Sequence, residues 1–184
     1  MSNASSAELP KIVDPYKLAE HNSVLEGQIP LSALPRFREA VLGFDEGAVC
    51  RVKLSFYKDS ERRRIVSGEL EAPVNLECQR CMGAMKSVLV SQFLLGLVTS
   101  DDQAQGLPKD LEPFLTDDFS ADLWSMTEDE LLLVLAPYPL HERGECPASE
   151  DLKAYEPDSS SEKPEKKPGD NPFSVLAGLK NTKH

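Results

Sequence analysis

The chain has 184 residues, 31 acidic against 20 basic side chains, a net charge of -11 at pH 7, 14 prolines and a mean hydropathy of -0.35. So acidic a balance argues against a generic nucleic-acid binder, which presents an excess of Lys and Arg. No run of about 18 apolar residues exists to span a membrane, and Met1 to Glu8 has neither the basic start nor the apolar centre of a secretory signal. Four scattered cysteines do not form a dense disulfide framework, so the expectation is a cytoplasmic protein with reduced thiols and no membrane partner.

In chain order, residues 1–10 read as a flexible N-terminus and residues 11–155 as one domain. Asp14 followed by Pro15 predicts a capped helix start. Leu34, Phe37 and Val41 share a helical face, with Pro35 in the first turn and Gly43 at the end. A strand follows, because Cys50, Val52, Leu54 and Phe56 alternate with polar residues. Cys50 belongs to its apolar face as a small core residue. Alternation continues through Val66, Gly68, Leu70, Ala72, Val74, Leu76 and Cys78, where Pro73 implies an edge, bulge or bend. A third strand over 88–98 completes an antiparallel meander. Residues 99–120 read as acidic and irregular, and Thr127 with Glu130 suggests a capping box that opens a helix through Leu131–Leu135. The fold class expected is α+β: an antiparallel sheet able to curl into a partial barrel, with N- and C-terminal helices over it.

Residues 156–170 are too polar and proline-rich to fold and read as a disordered linker. In 171–184, Asn171 and Pro172 can start a short helix that puts Phe173, Leu176 and Leu179 on one face. Such an island docks either on its own domain or in a partner's groove.

Charge is uneven. Arg51, Lys53, Lys58, Arg62, Arg63 and Arg64 face only Asp59 and Glu61 between positions 51 and 64, while residues 101–130 hold ten acids and a single base, Lys109. Arg51, Lys53, Arg62, Arg63 and Arg64 are therefore candidate RNA contacts, and the acidic arm a candidate contact for a basic protein; both can equally be solvated faces.

Cys78 and Cys81 are spaced to grip one metal ion, and Cys146 with His141 lies far downstream as the remaining candidate ligands, which points to a structural zinc site. The alternative is a metal-free thiol cluster that only stabilises a loop. Catalytic signatures are lacking: there is no glycine-rich phosphate loop, and Val66-Ser67-Gly68 lacks the glycine a nucleophile elbow needs. The chain is expected not to be an enzyme and to have no small-molecule substrate.

Three blocks, Asn75 to Cys81, Asp122 to Leu133 and Asn171 to Lys180, together with Asp14-Pro15 and His141 to Cys146, resemble the bacterial YceD family, the large ribosomal RNA subunit accumulation proteins. That resemblance implies a non-enzymatic role in synthesis, processing or stability of 23S ribosomal RNA. The partners it implies are the large ribosomal subunit precursor, 23S rRNA or a ribosomal protein. The alternative is an acidic adaptor that never touches RNA. More cysteine-rich relatives carry a second thiol pair near Cys146; here Pro147, Ala148 and Ser149 follow instead, leaving His141 as the fourth ligand.

Overall fold

The structure is a computed structural model that describes residues 7–117 and 119–155. The chain divides into two compact units, Met1–Pro147 and Ala148–His184. In the second, α5 (Ser149–Lys153) is the described element. The linker over 156–170 and the docking helix carrying Phe173, Leu176 and Leu179 lie outside the described residues.

The first unit is α+β. Its main sheet runs in the order β2 (Val24–Pro30), β3 (Val49–Lys58), β4 (Arg64–Glu77), β5 (Ala84–Val98), β6 (Glu112–Leu115). The first four strands are antiparallel, and β6 joins β5 in parallel. The apolar alternation holds residue by residue: Cys50, Val52, Leu54 and Phe56 of β3, and Val66, Leu70, Ala72, Val74 and Leu76 of β4, are all buried. Pro73 pairs with Val88 on one side, while the β3 ladder on its other side stops at Glu71. A residue without an N–H therefore sits where no ladder asks for one.

The sheet is open, which corrects the barrel-like expectation. Closure would require β2 to pair with the far edge, but the chain at Ala7–Leu9 occupies that edge: the Leu9 amide donates to Gln28 O at 2.9 Å and the Gln28 amide to Ala7 O at 3.0 Å. Gly27 makes the approach possible, since a Cβ there would lie 3.0 Å from the Leu9 backbone. β2 itself is absent from the sequence-based reading, because Gly27 and Pro30 break its alternation.

Helices cover the apolar face. α1 (Pro15–Glu20) starts as expected, with the Asp14 carboxylate accepting the Lys17 amide and Pro15 in the first turn. α2 (Pro35–Ala40) buries Phe37. α4 (Leu123–Leu133) begins four residues before the expected cap, because Asp122 accepts the amides of Trp124 and Ser125 at 3.0 Å. Thr127 then lies inside the helix, its hydroxyl donating to Leu123 O. The acidic arm is also more ordered than its composition suggests. It contains α3 (Asp101–Gln105), capped by Ser100, and the four-residue β6. A small second sheet pairs β1 (Ile12–Val13) with β7 (Ala121–Asp122).

Gly68 is buried opposite Phe93, and a Cβ there would lie 2.0 Å from the Phe93 ring. Backbone entropy favours alanine over glycine in a strand, whereas this contact forbids it. Gly68→Ala is expected to lower stability by about 1–3 kcal/mol in urea denaturation, and Phe93→Leu in the same chain should recover most of that loss. A stabilised Gly68→Ala variant would show that the ring does not depend on the glycine.

Candidate metal centre

The site is built from two loops. β4 ends at Glu77 and β5 starts at Ala84, and the six residues between must reverse the chain. They do so around sulfur: the Cys78 amide donates to Gly83 O at 2.9 Å, the Met82 amide to Cys78 O at 2.8 Å, and Met82 adopts a left-handed φ of 56°. The second loop follows α4. Its proline-rich stretch is pinned to the first by the Gln79 amide donating to Pro139 O at 2.9 Å. A turn in which the Glu145 and Cys146 amides both donate to Glu142 O then brings Cys146 inward.

The ligand atoms of Cys78, Cys81, His141 and Cys146 all lie within 4.8 Å of one another, and Cys78 and Cys146 are buried. The Cys81 sulfur is 3.4 Å from His141 Nδ1. With bonds of about 2.3 Å to sulfur and 2.0 Å to nitrogen, a tetrahedral zinc site has ligand–ligand edges of about 3.5–3.8 Å, so small side-chain adjustments bring the four atoms onto one ion.

The electrostatics favour a cation. Burial pushes the Cys78 thiol up, but the amides of His141, Cys81 and Arg80 and the His141 side chain outweigh it, pulling the thiol down to about 5. The His141 amide donates to its sulfur at 3.4 Å. At Cys81 the Gly83 amide pulls downward, yet burial and the adjoining sulfurs of Cys78 and Cys146 push the thiol above its ordinary value. One thiolate is thus stabilised by the fold, and the next is opposed by its neighbours. A divalent cation removes that opposition. The donor set fits zinc, with all four positions filled by the protein as in structural sites.

The candidate RNA contacts are brought onto the β3–β4 hairpin, but not as free cations. Arg51 bonds Glu71, Lys53 lies 3.1 Å from Glu26, Arg63 contacts Asp59 and Glu61, and Arg64 shares Glu20 with Lys58. Arg62, in the turn at φ 63°, has no ion-pair partner among the described residues. Cys50 is fully buried in the core, its thiol pushed up to about 12 by burial, and takes no part in the cluster.

Sequence reasoning missed Glu128. It is buried, its Oε1 accepts the Phe37 amide at 3.0 Å, and its Oε2 accepts Arg36 Nε at 2.9 Å. Leu34, the residue before α2, offers no side-chain cap, so an acid from α4 supplies it. Asp129 and Glu128 hold the Arg36 guanidinium above its ordinary range. Only the acid-rich start of α4 hinted at this, because the partner lies 91 residues away.

The sequence profile of the family described as Large ribosomal RNA subunit accumulation protein YceD matches residues 66–180, which include both cysteine loops. The chain belongs to the YceD family. A relative from Haemophilus influenzae, itself named Large ribosomal RNA subunit accumulation protein YceD, is 36% identical over 176 residues, covering 94% of this chain and 97% of its own. No solved structure matches. The four-ligand cluster thus lies within the part of the chain that matches the YceD profile.

Proposed function

We propose that this protein acts without catalysis in the accumulation of 23S ribosomal RNA, as a zinc-held binding domain in the cytoplasm whose partner is the precursor of the large ribosomal subunit. The donor set of the candidate metal centre supports a structural and not a catalytic role for that site. Catalytic zinc keeps one position open for water or substrate, whereas three cysteines and one histidine fill all four. Membership of the YceD family, and the name of the Haemophilus relative, supply the ribosomal direction. Among the described residues no helix is long and apolar enough to cross a membrane, in keeping with that setting.

The state of the hairpin bears on how the partner is held. For Arg51, Lys53, Arg63 or Arg64 to meet a phosphate, an existing ion pair must open, each such surface pair being worth about 0–1 kcal/mol. Exchanging a carboxylate partner for a phosphate leaves the number of charge pairs unchanged, so binding is expected to depend only weakly on salt. The same observation favours a second reading, an adaptor that engages a basic ribosomal protein or processing enzyme through the acidic arm.

Titrating the protein with a fragment of 23S RNA at several salt concentrations tests this. The expected slope of log K against log salt is shallower than about -2. Reversing Arg62 and Arg63 together to glutamate should change affinity less than about threefold. A slope near -5 or steeper that collapses on reversal would make the hairpin a phosphate grip.

A further inference from the structure

A cleft of about 780 Å³ opens beside α1, at the end of the sheet away from the cysteine loops. Its size is that of sites that hold small ligands, ~300–1,000 Å³. Two aromatic rings form its wall: Tyr16 and Phe119 meet edge to face, with centroids 5.0 Å apart at 80°. Tyr16 is fixed twice, by a 3.2 Å hydrogen bond between its hydroxyl and that of Thr116, and by the Arg64 guanidinium 5.2 Å from its ring centre. Phe119 is 58% exposed and holds a left-handed φ of 62°. A bulky residue in that conformation is a true outlier, and such strain collects at binding sites.

The charges exclude a simple anion site. Lys17 lies 3.1 Å from Asp14, and Arg64 is 3.0 Å from Glu20, so the cleft's cations are matched by its acids. Unused hydrogen-bond donors remain. Gln103 Oε1 accepts both the amide and the hydroxyl of Thr99, and among the described residues the Gln103 amide NH₂ has no partner; Arg64 bonds Glu20 through Nη2, and its Nη1 has none among them. An exposed aromatic face, a rigid aromatic floor, zero net charge and spare donors suit a flat, neutral group rich in acceptors. An unpaired nucleobase has those properties: single-stranded RNA is commonly held by stacking on aromatic side chains and by hydrogen bonds to base edges.

We propose that this cleft binds one unpaired base of RNA, stacked on Phe119 over the Tyr16–Arg64 floor, with Gln103 and Arg64 donating to its edge. The inference rests on the ribosomal RNA reading above and gives it a contact that uses Arg64 alone of the hairpin cations.

Fluorescence anisotropy of labelled ten-nucleotide uridine and adenosine RNAs, with the full chain, tests it. Phe119→Ala is expected to weaken binding about tenfold, and Phe119→Trp to stay within about twofold of the natural protein. Circular dichroism should show both variants folded, since Phe119 lies on the surface. No saturable binding of either RNA, or equal binding by Phe119→Ala, overturns the proposal. So does loss of capture of a basic ribosomal protein by Phe119→Ala while RNA is ignored, because the cleft is then a protein site. A Phe119→Ala gene that fully restores 23S RNA in cells removes the cleft alone; normal 23S RNA in cells without any copy removes the functional reading itself.

Discussion

Purified from zinc-containing medium without chelators, the protein is expected to carry one zinc ion per chain, and Cys78→Ser or Cys146→Ser to lose it. Cys50→Ala should retain the metal, because Cys50 lies in the core apart from the cluster. The thermal consequence follows from linkage. A ligand held only by the folded state stabilises it by about 4 kcal/mol when its free concentration is a thousand times Kd. For a chain of this size that corresponds to a Tm change of about 8–16 °C. Chelation should produce that fall, and zinc should reverse it. The domain should not unfold as small zinc fingers do, since its sheet and helices bury a core of their own. The freed part is the loop from Pro137 to Cys146, which the Gln79–Pro139 hydrogen bond and the weak contacts of His141 with Cys78 and Cys81 would hold poorly. Metal-free protein with an unchanged Tm would leave the four residues as a thiol cluster without a structural ion.

Glu128→Ala is expected to be clearly destabilising although the residue is an acid outside the cysteine cluster. It removes the acceptor for the Phe37 amide at the start of α2 and the buried partner of Arg36 in one step. A lost cap costs about 1 kcal/mol, and an orphaned buried donor about 1–3 kcal/mol. Arg36 is half exposed and can return to water, so the full penalty of a stranded buried charge does not apply. The lost cap and the orphaned donor are the same Phe37 N–H, so the total expected is about 1–3 kcal/mol in chemical denaturation. Glu128→Gln keeps an acceptor for the amide and should lose less than half of that. Equal stability of Glu128→Ala and the natural protein would mean that α2 is held by packing alone, through Phe37.

How much of this was legible depends on the range of each interaction. Strands β3 and β4 declare themselves because one face is buried along nearly their whole length, so the period of two survives in the residues, whereas β5 is marked by its long apolar run. The helix at Pro15 declares itself through a cap three residues from its donor. The cysteine–histidine cluster was legible for a different reason: thiols spaced by two residues point to a shared site, and the meeting of Cys81 with His141 across 60 residues brings the candidate residues together.

What escaped reading was decided at long range. β2 has a weak pattern because Gly27 is small for the sake of the Leu9 backbone. β6 is four residues long, contains Pro113 and joins in parallel, so no alternation marks it. Asp122 caps α4, and the capping-box pattern at Thr127 was a coincidence of composition inside the helix. The basic hairpin looked underpaired because part of its acids come from elsewhere: Glu20 lies 44 residues from Arg64, and Glu26 lies on β2. The aromatic cleft left no trace, since Tyr16 and Phe119 are joined only by the fold.

The most direct test of the central claim is the ratio of mature 23S to 16S ribosomal RNA in a strain lacking this gene. The expected result is a selective fall in 23S RNA that the natural gene reverses and Cys78→Ser reverses poorly. An unchanged ratio in rich and minimal media, at low and high temperature, would contradict the account.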